Sequence, residues 1–329
     1  MKMRKIVCSF MISVVCFMTA ISGVSATSYD TSKINAAYSK VVEYYKNNNN
    51  LNNADKILAV ESLGLEAESN QFDTSSADLS KTSLSKKIVT EVLLGIDPTE
   101  DKETLESQID ENGNVEGSWG ASSDIWTLYA LYATSSEKTN LLADKLNTDL
   151  ASSSVCGYEW GGTYYADYDT TGWVIEGLAV VNKEKYATTI NKAIDYIKNN
   201  TTMTTTGWVT ADNVDTQSQV LEGMFAYDTN ALLNDSYTVH PVDCLLNTQL
   251  SDGSFPSGYN AEYTTAEVAK TLGTYKNGSV IIKAKKAYDK MMNPEQPDNT
   301  KPAQPTDTKK DSQSTNKVET TCHILSFLF

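Results

Sequence analysis

Two stretches of this chain are near copies of one another: DTTGWVIEGLA from Asp169 and DTQSQVLEGMF from Asp215. Asp169 pairs with Asp215, Thr170 with Thr216, and Glu176-Gly177 with Glu222-Gly223. A third copy, YTTAEVAKTLG, starts at Tyr263, and a degenerate one, SSDIWTLYALYA, at Ser122. Upstream of each lies a glycine–aromatic element: Gly117-Ser118-Trp119, Trp160-Gly161-Gly162, Gly207-Trp208 and Gly253-Ser254-Phe255. A period of about 50 residues with two helical runs per unit signals stacked helical hairpins, none of which can bury its apolar face alone.

The remaining pattern is helical as well. Ile34, Ala37, Val41 and Tyr45 recur at helical spacing, as do Ile57, Val60, Leu63 and Leu65, and no stretch of comparable length alternates with period two. The conspicuous Asp/Thr starts mark inner helices near 54–65, 84–96, 122–134, 170–181, 215–227 and 263–275. The more charged runs mark outer helices near 31–47, 102–109, 138–150, 184–198, 240–250 and 280–292. Six such hairpins close into a ring around a central cavity, or stack as an open solenoid. The expected fold is all-α.

The chain has 329 residues and a formal net charge of −15. An acidic chain does not offset phosphate charge, so nucleic acid and anionic lipid surfaces are excluded as partners. Lys2, Arg4 and Lys5 precede an apolar run from Ile6 to about Ile21 and a small-residue site at Val24-Ser25-Ala26. That order predicts a signal peptide over 1–26, a secreted or cell-surface protein, and no membrane span in the mature chain. The expected domain covers 27–292. A Pro/Thr-rich stretch over 293–321 lacks large apolar residues and is expected to be a disordered spacer, followed by a short apolar tail over 322–329. Beyond the leader, Cys156, Cys244 and Cys322 form an odd set without metal-like spacing. Two separate thiols at Cys156 and Cys244 are favoured over a bridge between them.

QLSDGSF, from Gln249 to Phe255, resembles the Q-x-x-x-G-x-W repeat of the terpenoid cyclase and protein prenyltransferase superfamily, with Phe255 where that family usually has Trp. The three Asp/Tyr-Thr starts resemble its inner-helix starts. LSKKIVTEVLLGIDPTE, from Leu84 to Glu100, is similar to a segment of secreted bacterial proteins with prenyltransferase and squalene oxidase repeats. The resemblance implies an (α/α)6 toroid. No cofactor is expected from the residues; the resemblance allows one, cobalamin, because the superfamily includes vitamin B12 carriers. Its fold serves several functions, so the chemistry has to come from the residues.

The motifs of the catalytic members are incomplete here. A class II cyclase protonates an alkene through DxDD, whereas this chain has Asp167-Tyr168-Asp169-Thr170. The recurrence of the Asp-Thr pair at Asp215 favours a helix cap over a lone catalytic acid, with Asp169 and Asp215 as the caps. HPVDC, with His240, Asp243 and Cys244, does not have the spacing of a prenyltransferase zinc site, and no metal is expected. VCGYEWGG lacks the glutamine a thioester requires, and two histidines leave little for a His-based triad.

Trp119, Trp160, Trp208 and Phe255 read as wedges stacked against helix ends. The loop from Ser152 to Asp169 differs in being crowded with tyrosine, either as a recognition surface or as a packed Ω-like loop. Candidate ligand-binding residues are therefore Tyr158, Trp160, Tyr164, Tyr165, Asp167, Tyr168 and Trp173. The expected function is a non-catalytic binding module holding a small molecule, glycan or protein at the cavity mouth. The alternatives are a terpene-cyclase-like or polysaccharide-processing enzyme using Asp167, Asp169 and Glu159, and a structural part of a surface protein.

Overall fold

The computed structural model describes residues 29–294 apart from Asp212, and leaves the side chains of Glu159 and Trp160 undescribed. The expected signal peptide, the spacer beyond Pro294, the apolar tail and Cys322 lie outside the described residues. Within them are eleven α-helices and one two-stranded hairpin. The chain runs α1 (Ser32–Asn47), α2 (Ala54–Ser62), α3 (Leu84–Leu93), α4 (Thr99–Ser107), α5 (Ala121–Ala133) and α6 (Thr139–Ser153). It continues through β1 (Gly157–Trp160), β2 (Thr163–Ala166), α7 (Tyr168–Asn200), α8 (Val214–Asn234), α9 (Pro241–Leu246), α10 (Ala261–Asn277) and α11 (Val280–Met292). The fold is all-α.

α7 holds an inner and an outer helix with no linker between them, and α8 runs past its inner helix into a short second half, ahead of α9 where the outer helix near 240–250 was expected. The helical path breaks at Asn182 and Asp228, whose backbones are extended. Each then caps the second half: Asn182 accepts the Lys185 N–H at 3.0 Å and Asp228 the Ala231 N–H at 2.9 Å.

The helices expected to be inner pack in a closed circuit: α2 on α3, α3 on α5, α5 on α7, α7 on α8, α8 on α10, and α10 back on α2. They run parallel, because residues at the same depth meet. Near the helix starts Ser85 of α3 faces Thr127 of α5 at 3.1 Å, and deeper in the ring the Tyr129 hydroxyl of α5 reaches Glu176 of α7 at 2.8 Å. Two joints are backbone to backbone. A Cβ at Gly223 would lie 2.3 Å from the Gly172 carbonyl, and one at Gly273 2.5 Å from the Ser62 carbonyl, so only glycine lets α8 approach α7 and α10 approach α2 this closely. The last helix, α11, packs on α2, α3 and α5, with Lys283 donating to the Glu61 and Leu65 carbonyls at the C-terminal end of α2.

The third residue of each repeat ties its helix to the segment before it. Thr171 accepts the Cys156 N–H at 2.9 Å, Gln217 the Val209 N–H at 3.0 Å, and Thr265 the Phe255 N–H at 3.0 Å. In the α5 copy Asp124 takes the Ser118 hydroxyl at 2.5 Å. The wedge expectation holds for Phe255, which is fully buried, and fails for Trp119, which is 86 % exposed.

The region expected to be an irregular loop contains the hairpin, paired from Gly157↔Ala166 to Trp160↔Thr163. Gly161 and Gly162 turn it with φ of 61° and 76°, the left-handed pair that a tight two-residue hairpin turn demands. Cys156 and Cys244 are both free. No helix among the described residues is long and apolar enough to cross a membrane.

Candidate functional site

Positions one, five and eight of each repeat fall on one helical face. In α7 these are Asp169, Trp173 and Glu176; in α8, Asp215, Gln219 and Glu222; in α10, Tyr263, Glu267 and Lys270. The α5 copy contributes Trp126 and Tyr129 at positions five and eight. These side chains meet in the middle of the ring. Trp126 and Trp173 stack edge-on with centroids 6.0 Å apart, and Gln219 donates to Glu267 at 3.3 Å. Lys270 pairs with Glu267 at 3.0 Å and stands 3.9 Å from Glu222. Its ammonium also lies 5.5 Å from the Trp126 ring, on a helix that is not its neighbour in the circuit. From the other side Lys86 sits 4.3 Å over the same ring and pairs with Asp55 at 2.7 Å. The centre expected to be a cavity is thus occupied by polar and aromatic side chains.

This interior is charged and incompletely hydrogen-bonded. Glu176, Glu222, Glu267 and Lys270 are all buried. Burial pushes the Glu176 carboxyl up, and pushes Glu222 well above the usual carboxylate range with help from the neighbouring Glu176. Burial alone would lower the Lys270 ammonium, but Glu267 and Glu222 beside it outweigh that and hold it charged. Six buried atoms have no hydrogen-bond partner: Asp215 Oδ1, Trp173 Nε1, Gln219 Oε1, Glu267 Oε1, Glu176 Oε1 and Glu222 Oε2. Five of these are oxygens, four of them on carboxyls that accept when ionised and donate once they hold a proton, the form that burial favours at Glu176 and Glu222.

The end of the ring where the inner helices begin carries the aromatic surface. Trp119 precedes α5, the β1–β2 hairpin precedes α7, Trp208 precedes α8 and Tyr259 precedes α10. Tyr158, Tyr164 and Tyr165 are exposed on the hairpin, and Tyr259 is 92 % exposed. Tyr158 and Tyr165 stack nearly parallel, 18° apart with centroids at 5.5 Å. Three clefts open on this face. One of about 520 Å³ lies between Trp208, Asn213 and Asp215 on one side and Pro256, Ser257 and Tyr259 on the other. A second, of about 400 Å³, runs along Asn47–Asn50 to Lys56 and Glu262; a third, of about 280 Å³, holds Trp119 and Trp126.

Of the residues singled out from the sequence, Tyr158, Tyr164 and Tyr165 stand on this face, and Tyr168 is half-buried beneath it. Trp173 instead belongs to the ring interior. Glu159 and Trp160 join the hairpin through their backbones, and their side chains lie outside the description. The caps expected at Asp169 and Asp215 lie two residues earlier, at Asp167 and Asn213. Asp167 is the N-cap of α7, while Asp169 is largely buried against α8, where burial lifts its carboxyl to about 6 although the Thr216 hydroxyl pulls the other way. Asn213 and Asn260 are the caps of α8 and α10. In HPVDC, His240 caps α9, Asp243 binds Tyr29 and Lys33, and Cys244 donates to the Thr206 carbonyl; no metal-ligating cluster occurs among the described residues. The interior charges were not picked out from the sequence, although the aligned Glu176 and Glu222, with Lys270 in the third copy, already marked one face.

No protein-family model, curated protein or solved structure matches this chain.

Proposed function

We propose that this chain is a secreted carbohydrate-binding module whose ligand lies across the face where the inner helices begin. The observation that carries the reading is the cleft of about 520 Å³, with Trp208 and the exposed Tyr259 on its walls and Asn213, Asp215, Thr248 and Ser257 between them. Flat aromatic faces stack on the apolar faces of sugar rings, and interleaved hydroxyl, amide and carboxylate groups take the sugar hydroxyls. Trp119 and the stacked Tyr158 and Tyr165 extend the same surface around the rim, as an oligomeric ligand would use it. A glycan array tests this. The wild-type protein is expected to retain a set of oligosaccharides that Tyr259→Ala loses, and a blank array overturns the reading. Cobalamin is the small-molecule arm: pigment retained on the protein in place of glycan overturns it too.

A second reading has one observation of its own. Asp169, lifted to about 6 beside Asp215, has the character of a general acid in a polysaccharide-processing enzyme. Asp167 is excluded from that role by its capping bonds. Release of reducing ends from a bound glycan, abolished by Asp169→Asn, would favour the enzyme. The charged centre of the ring does not suit the apolar alkene of a terpene-cyclase-like reaction.

A further inference from the structure

We infer that the ligand of the Trp208–Tyr259 cleft is a glycan bearing free amines, an amino sugar whose ammonium group seats against Asp215. This rests on the carbohydrate reading and adds the charge of the sugar. Asp215 lines the cleft and keeps Oδ1 buried without a partner. Gln219 and Glu267 lie one helical turn deeper and are sealed from the cleft, so Asp215 is the acidic side chain a ligand meets on this wall. A hydroxyl-bearing neutral sugar offers one donor per group, whereas an ammonium offers three together with a positive charge to face the Asp215 carboxylate.

The surrounding surface has the same sign. The segments that lead into α5, α7, α8 and α10, residues 110–123, 154–169, 201–215 and 247–263, contain no Lys, Arg or His. They do contain Asp110, Glu111, Glu116, Asp167, Asp169, Asp215, Asp252 and Glu262. Lys270, Lys86 and Lys56 are engaged within the chain, with Glu267, with Asp55, and with Glu262 at 3.1 Å. A polyanionic sugar would be repelled, and a neutral one would leave the field unanswered. Trp208 and Tyr259 stack on the ring of an amino sugar as on any other, and their faces also attract an ammonium.

The test is calorimetric titration of the protein at about pH 6, where sugar amines are largely protonated, with three ligands of equal length. These are a β-1,4-glucosamine oligomer, its fully N-acetylated form, and a cello-oligosaccharide. The glucosamine oligomer is expected to bind at least about tenfold more tightly than the other two, with the advantage shrinking as salt rises. Asp215→Asn should remove the advantage. If that variant misfolds, Tyr259→Ala, on an exposed side chain, should weaken all three ligands together. Equal binding of the acetylated or neutral oligomer overturns the amine inference and leaves the carbohydrate reading standing. No binding by any of the three overturns both. A lysine decapeptide that binds while all sugars fail makes the partner a basic protein and overturns both as well.

Discussion

Asp167 holds the first turn of α7 through a single residue: its Oδ1 accepts the Thr170 N–H at 3.0 Å and its Oδ2 the Thr170 hydroxyl at 2.7 Å. Both carboxylate oxygens are used, and the backbone at Asp167 is extended, as an N-cap requires. Asp167→Ala should therefore cost about 1 kcal/mol of stability in urea unfolding, and Asp167→Asn much less, because the amide oxygen still accepts the N–H. An Asp167→Ala variant as stable as wild type would return the cap to Asp169.

Asp169 should behave in the opposite sense. Its folded acid constant of about 6 lies above that of an unfolded aspartate, so its contribution to stability is fully present below about pH 4 and is lost as the pH rises through about 6. Asp169→Asn removes this titration while keeping a polar group beside Thr216. The variant should gain on wild type by on the order of 2 kcal/mol between those two pH values, read as the difference of two denaturation series. A difference that does not change with pH would mean that the carboxylate reaches solvent freely.

The order of helices was legible because the repeat marks each inner start, and because Ile34, Ala37, Val41 and Tyr45 form one buried stripe as their spacing implies. The inner runs expected over 170–181 and 215–227 stop one residue before the breaks at Asn182 and Asp228, so those junctions were legible too. Helix caps were less legible. Asp167 and Asp169 are two residues apart, and only the backbone angles decide which one is the cap. The interior was least legible. A face carrying Glu176, Glu222 and Lys270 has the sequence pattern of a solvated surface, and only the circuit of six helices turns it inward. Trp119 and Phe255 occupy equivalent sites, yet one is exposed and one buried, because the chain packed around each site differs.

The joint between α10 and α2 closes the circuit, and it rests on Gly273 lying against the Ser62 carbonyl. Gly273→Ala would place a methyl where backbone already stands, which costs about 1–3 kcal/mol of overpacking despite the higher helix propensity of alanine. Gly95 has nothing within reach of an added methyl but sits at a φ of 71°, so Gly95→Asn, which tolerates that conformation, serves as a mild control. Thermal unfolding of the two variants should separate clearly. An unperturbed Gly273→Ala protein would show that α10 and α2 can move apart, and that the ring opens at that seam.

Lys270 is the buried cation shared by Glu267 and Glu222, and its removal isolates charges that the ring has already taken out of water. Lys270→Met should cost about 3–5 kcal/mol near neutral pH, since breaking a buried pair leaves an unpaired charge. The direction with pH follows from the carboxyls. Burial already raises Glu176 and Glu222, and losing the ammonium raises them further, so the variant loses stability as the pH rises and its deficit shrinks in acid. Adding Glu222→Leu should recover part of the loss, because it removes one of the stranded acids, and the double-mutant cycle then measures how strongly the two are coupled. If Lys270→Met unfolds like wild type at neutral pH, the glutamates are held neutral by their own burial, and the ammonium is not what keeps the centre of the ring together.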